Sequence, residues 1–154
     1  MLILATVFFA GEGLAQDSTQ QVQLSRLLHH YDQTRNALVA GDGSLAAANT
    51  VEFIKTANSI DYKLISEGNI NALLKDASPI SETTDIKIQR RHFAGLSENM
   101  IILAKALKFS SQPIYQVYCP MKKASWLTPE KAVKNPYYGN AMLSCGNIVE
   151  TIKH

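Results

Sequence analysis

The chain lacks the features that mark several classes of protein. No run of lysine or arginine exceeds two residues in the 154-residue sequence, and its formal net charge is +2. Nothing therefore predicts binding to nucleic acid, which needs a concentrated basic surface. Beyond the first residues there is no long apolar stretch, so no membrane span is predicted for the rest of the chain. With 46% hydrophobic and 18% charged residues, the composition is that of an ordinary globular domain.

Signatures of common enzymes are also missing. The sequence has no Gly-x-Ser-x-Gly, no His-Glu-x-x-His and no glycine-rich phosphate loop. Cys119 and His92 have the chemistry of a nucleophile and a base, but no oxyanion-stabilising or orienting partner is marked. We predict a protein that is not an enzyme.

The amino terminus carries the one apolar run, Leu2 to Ala10, which is too short to span a bilayer. Gly13-Leu14-Ala15 supplies small residues at the spacing of a signal-peptidase site. The pattern predicts a signal peptide at residues 1–15 and a single exported domain at residues 16–154. No basic residue precedes the apolar run, and a disordered or packed native terminus is the alternative interpretation.

Apolar periodicity predicts four helices between residue 18 and residue 107. Gly41-Asp42-Gly43 ends the first, and Gly68-Asn69 ends the second. Ser78-Pro79 closes a short third helix, and Ser81 or Thr83 opens a long fourth. The clearest buried stripe lies on that fourth helix, at Ile86, Phe93, Leu96, Met100, Leu103 and Leu107. The predicted fold class is all-α, a small antiparallel four-helix bundle.

The pattern changes after Pro113. Residues 114–119 alternate and are rich in β-branched and aromatic side chains, which is typical of a short strand. Residues 142–152 read as a second short strand or as a ragged helix. We therefore predict an irregular carboxy-terminal cap, residues 113–154, with room for a short β-hairpin.

Both cysteines of the chain lie in this cap, each near a methionine. The four residues Cys119, Met121, Met142 and Cys145 are called the sulfur set below. Thiolate and thioether groups are soft ligands that select copper(I) and, through the thiolates, zinc-like metals. The spacing is not that of a zinc ribbon. The alternative is a Cys119–Cys145 disulfide, which export favours, with both methionines as core filler.

His92 is a weaker candidate ligand for the same metal. It follows Arg90-Arg91, stands beside Phe93 and shares a helical face with Leu96, from which it can reach a cap folded over the bundle. The alternative is a boundary histidine satisfied by one hydrogen-bond partner.

Several segments, "RRHFAGLSENMIILAK", "YCPM", "NPYYG" and "AMLSCG", resemble a bacterial periplasmic domain family of unknown function. That family occurs alone or fused to the periplasmic adaptor subunits of heavy-metal and copper efflux systems. The resemblance implies a helical bundle, a periplasmic location and a role with a soft metal, copper first. The resemblance implies that the sulfur set is the metal-binding motif and, through the matching segment "RRHF", that His92 is a weaker candidate ligand.

The resulting functional prediction is a periplasmic copper-binding or carrier domain linked to heavy-metal handling. Its expected partners are the metal ion and a metal-efflux adaptor or another periplasmic protein. The alternative is a disulfide-stapled structural or interaction module without a cofactor.

Overall fold

A computed structural model describes residues 12–154, with side chains from residue 18 onward. Most of the predicted signal peptide, residues 1–15, lies outside the described residues. No helix of the described part is both long and apolar enough to cross a membrane. The helices are α1 (Glu12–Ala40), α2 (Gly43–Asn58), α3 (Glu67–Ser81) and α4 (Ile86–Ala106), and the strands are β1 (Ile114–Cys119), β2 (Ala124–Thr128) and β3 (Asn147–Ile152).

Three of the helices begin at side chains that accept a backbone N–H. Asp42 caps α2 and Ser66 caps α3. Asp85 caps α4 by accepting the N–H of Lys87 at 2.8 Å. Such caps satisfy donors that have no partner inside the helix. The predicted openings of α4 at Ser81 or Thr83 were therefore two to four residues too early.

Helix α3 continues to Ser81, past its predicted end at Ser78-Pro79. Pro79 costs the helix one backbone hydrogen bond. Ile80, which follows it, is fully buried in the core. Burial of this side chain offsets the loss of one bond in the last turn.

The helices form the predicted bundle. Helices α1 and α2 are joined by a two-residue turn and contact each other through polar side chains, with the Oγ1 atoms of Thr34 and Thr50 3.2 Å apart. Helices α3 and α4 pack closely because Gly95 has no side chain, and a Cβ atom there would lie 2.3 Å from Oδ2 of Asp76. The predicted stripe on α4 is confirmed at its centre, where Phe93, Leu96, Met100 and Leu103 are all buried.

The cap holds more β-structure than the sequence predicted. Its strands form an antiparallel sheet in the order β2-β1-β3, so the all-α class with at most a hairpin is corrected to a helical bundle with a three-stranded sheet. Strand β2 was missed. Four of its five residues are buried, so the strand shows no alternation of apolar and polar residues.

Tyrosine hydroxyls hold the outer edge of β2 against the bundle. Tyr31 of α1 accepts the N–H of Leu127 at 3.1 Å and shares a 2.7 Å hydrogen bond with Ser97 of α4. Tyr137 donates to the carbonyl of Ser125 at 2.5 Å. An exposed strand edge is a site for unwanted pairing, and these hydroxyls satisfy two of its polar groups.

The core assignment predicts opposite results for two aspartate substitutions on α4. Leu96→Asp buries an unpaired carboxylate at a fully buried position and should cost about 4 kcal/mol, a large share of the stability of a small domain. Ile102→Asp, at a side chain that is 63% exposed, should change stability by about 0.5 kcal/mol or less. Circular dichroism with urea titration measures both. Cooperative, near-parent unfolding of Leu96→Asp would contradict the placement of this face in the core.

Candidate functional site

Sheet pairing brings the two cysteines together. Cys119 is the last residue of β1, and Cys145 stands two residues before β3. Antiparallel pairing places Tyr118 opposite Asn147. The residue after Tyr118 and the segment just before Asn147 therefore lie close together. The two Sγ atoms lie 2.9 Å apart and both cysteines are free thiols, Cys119 buried and Cys145 half-buried. Two segments separated along the chain thus meet at one point, as both the metal prediction and the disulfide alternative require.

Buried Asn135 fixes the loop that carries Cys145. Its Oδ1 accepts the backbone N–H of Tyr137 at 2.8 Å and that of Tyr138 at 3.2 Å. Its Nδ2 donates to the carbonyl of Cys145 at 2.8 Å, and its own N–H donates to the carbonyl of Leu143. Sequence reasoning read Asn135-Pro136 only as a turn. Asparagine commonly bonds the backbone two residues onward, and that tendency was the signal available for this role.

The two thiols have opposite pKa shifts. Burial acts to raise the pKa of Cys119, but hydrogen bonds from the Cys145 thiol, the Lys122 N–H, the Asn135 amide and the Met121 N–H outweigh it and lower that pKa. The pKa of Cys145 is raised because its proton is held by Cys119, with burial and the charge of the Cys119 thiolate adding to the effect. The first proton therefore leaves Cys119. The thiolate is the form that binds metals and attacks disulfides.

The two methionines of the sulfur set lie between the two cysteines in sequence, and they differ in exposure. Met121 occupies the β1–β2 turn and is 65% exposed. Met142 is half-buried, and its carbonyl accepts the N–H of Cys145 at 3.1 Å. Met121 is therefore not core filler, which removes half of the packing explanation for the methionines.

The sulfur separation lies between the values that the two alternatives require. A disulfide needs about 2.05 Å between the sulfurs. Metal–sulfur bonds of about 2.3 Å put two ligand sulfurs about 3.8 Å apart around a tetrahedral ion. At 2.9 Å, the sulfurs of Cys119 and Cys145 must shift by about 1 Å relative to each other for either alternative. The donor set suits a soft ion, since it offers sulfur from all four members.

His92 lies apart from the sulfur set. Its Nδ1 is 3.1 Å from Oδ1 of Asp76, so it faces α3. Within residues 12–154, no group of three or more histidine, cysteine, aspartate or glutamate side chains is placed to hold a metal ion. The structure therefore does not bring His92 to the two cysteines.

A family model matches residues 27–112, more than half of the chain, and is described as "Protein of unknown function (DUF3347)". The chain belongs to this family. The DUF3347 match covers the helices from Leu27 onward and includes His92, but it ends before β1, so the whole sulfur set lies outside it. Comparison with curated proteins and comparison with solved structures each found no match.

The contacts of Asn135 predict a large effect from a small change. Asn135→Ala removes one acceptor and one donor from buried backbone groups and should cost about 2–4 kcal/mol of unfolding free energy under reducing conditions. It should also raise the pKa of Cys119, because that thiolate loses an amide donor. Asn140→Ala, at an exposed position of the same loop, is the matched control and should change stability by about 0.5 kcal/mol or less.

Urea titration gives the stability, and ultraviolet absorbance of the thiolate against pH gives the pKa. Equal stabilities of the two alanine variants, with an unchanged first thiol pKa, would show that Asn135 does not organise the site.

Proposed function

We propose that this DUF3347 protein binds a soft metal ion, copper(I), through the sulfur set. Cys119 and Cys145 supply thiolates, and Met121 and Met142 supply thioethers. Copper(I) is the metal that combines thiolate with thioether ligands most readily, whereas zinc uses the thiolates alone. His92 is not part of this proposed site, because its imidazole faces Asp76.

The observation that carries the proposal is the exposure of Met121. An apolar side chain that is 65% exposed stabilises no core, and it lies two residues from a buried thiol whose pKa is lowered. A thioether on the surface beside a thiolate is suited to receiving an ion and passing it on. A disulfide staple alone gives this methionine no role.

The same proposal covers location and partners. The signal-like amino terminus and the paired cysteines support an exported, periplasmic protein. A metal-efflux adaptor or another periplasmic metal protein is then the expected receiver of the ion. We propose a carrier or binding role without catalysis.

A copper(I) titration tests the ligand assignment. Under reducing conditions and with a competing copper(I) chelator, the parent protein should bind one ion. The double variant Met121→Leu, Met142→Leu should bind at least about tenfold more weakly, since it loses both thioethers. It should fold normally, because leucine and methionine have similar volumes and the exchange costs less than about 1.5 kcal/mol.

Met100→Leu is the matched control, since Met100 is fully buried in the bundle outside the sulfur set, and it should leave copper affinity unchanged. Cys119→Ser with Cys145→Ser should abolish binding. No measurable affinity in the parent protein would end the metal proposal, and unchanged affinity in the double leucine variant would remove the thioethers from it.

The second candidate function is a disulfide-stapled interaction module, favoured by the 2.9 Å approach of the two thiols. Oxidation forms the S–S bond with loss of two protons and two electrons to an external oxidant. Closing a loop of about 27 residues should stabilise the fold by about 3.5 kcal/mol. Protein isolated from an oxidising compartment should then show no free thiols, and a reductant should lower its urea midpoint.

The Cys119→Ser, Cys145→Ser variant should not respond to the reductant. Two labelled thiols in the isolated protein, with the same urea midpoint before and after reduction, would exclude the staple.

A further inference from the structure

A groove separate from the sulfur set lies between α4 and the sheet. It has a volume of about 380 Å³ and is lined by side chains of α4, β1 and β2. Gln116 and Tyr118 line it from β1, and side chains alternate along a strand, so Cys119 points to the opposite face of the sheet. The volume falls at the low end of the range of about 300–1,000 Å³ for small-molecule sites.

The groove has an apolar wall that the fold leaves open. Ile101 is buried at its base, whereas Ile102 is 63% exposed and Tyr118 is 37% exposed. A ligand in the groove would bury the apolar surface of these side chains, and burial of apolar surface is favourable in proportion to the area removed from water.

Opposite charges line the same groove. Glu98 enters from α4 and Lys123 from the β1–β2 turn, and neither forms an ion pair within the part of the chain that the structure describes. The Oε1 of Gln116 is buried and has no hydrogen-bond partner among the described residues, so it can accept from a ligand only after the side chain turns toward the groove. A buried acceptor without a partner is costly, and a donor from a ligand would relieve that cost.

Lys123 stands in an unusual backbone conformation. Its φ is +55°, and no other non-glycine residue of the described chain has a positive φ. Glycine or asparagine is the residue that such a turn position favours, because a Cβ atom crowds the following carbonyl. A lysine in this conformation points to a use for its side chain, since strained backbone tends to occur at functional sites.

We propose that this groove binds a short apolar peptide with free termini, of about dipeptide size. The peptide ammonium group bonds Glu98 and the unpartnered Oε1 of Gln116, and the carboxylate pairs with Lys123. Its side chains cover Ile102 and Tyr118. The charge pattern fits a zwitterion, because one acid with an extra acceptor and one base line the same apolar groove. This binding does not depend on the metal proposal.

A matched series of ligands tests the assignment by NMR titration of the reduced full chain. L-leucyl-L-leucine should give saturable shifts at Gln116, Tyr118 and Ile102 with a Kd of about 1 mM or tighter. N-acetyl-leucyl-leucine lacks the ammonium group, leucyl-leucine amide lacks the carboxylate, and each should bind about tenfold more weakly. Absence of saturable shifts with any ligand, or equal affinity for all three, would overturn the proposal.

Two variants assign the charges. Glu98→Gln should weaken binding of the free dipeptide and remove its advantage over the acetylated form. Lys123→Gly should remove the advantage of the free dipeptide over the dipeptide amide. It should also raise the melting temperature of the protein, because glycine relieves the backbone strain. Glu67→Gln, at an exposed acid on α3, is the control and should bind as the parent does. Parent-like affinities in both groove variants would contradict the charge assignment.

Discussion

The Tyr31 hydroxyl is the point on which the arrangement of helices and sheet depends. It bonds Ser97 of α4 and the backbone N–H of Leu127 in β2, and so one buried atom group joins α1, α4 and the sheet. Burial raises the pKa of Tyr31 to about 12, so the group stays a neutral donor and acceptor at any ordinary pH. The ring stacks on Phe93 at 5.1 Å, and Phe93 in turn meets Tyr137 at 6.0 Å.

The aromatic contacts continue from the bundle to the sulfur site. Tyr137 packs edge-on against Trp126 with ring centroids 5.9 Å apart. Trp126 lies beneath the loop, where a Cβ atom on Gly146 would come within 2.8 Å of its Cη2. Gly146 has a φ of +148° and directly follows Cys145. The position of that cysteine is therefore set by a chain of rigid rings that begins in the helical core.

The sequence predicted the bundle well because its signals are local. Apolar spacing on α4 and the glycine stop after α1 are read within a few residues, and tertiary packing agreed with them. The stop predicted at Gly68-Asn69 was wrong, because α2 ends at Asn58 and those two residues lie in the first turn of α3. Strand β2 was not predicted, because a strand that is buried on both faces shows no alternation of apolar and polar residues. Convergence of Cys119 and Cys145 was predicted from their chemistry. The bond from Asn135 to the carbonyl of Cys145 could not be predicted, since it depends on where Pro136 and the sheet direct the loop.

The position of His92 also depends on a long-range contact that the sequence does not reveal. Its sequence position allowed a side chain directed toward either the cap or α3. Gly95, one turn further along α4, lets Asp76 approach the helix, and the carboxylate takes the imidazole as its partner. A hydrogen bond to a carboxylate is stronger than one between neutral groups, so this contact holds the imidazole against α3. A contact between α3 and α4, which spacing along one helix does not reveal, thus separates this histidine from the cysteines.

The sulfur site is assembled by backbone and side-chain hydrogen bonds that need neither an ion nor a disulfide. Asn135 satisfies three backbone groups of its loop, and β1 pairs with strands on both sides, so the two thiols meet in the reduced protein. A site formed in advance spares a ligand the entropy of ordering the loops. A hydrogen bond from the Asn135 amide also contributes to lowering the pKa of Cys119, so the side chain that shapes the loop acts on the thiolate as well. The same side chain therefore contributes both to the shape of the loop and to the reactivity of the sulfur.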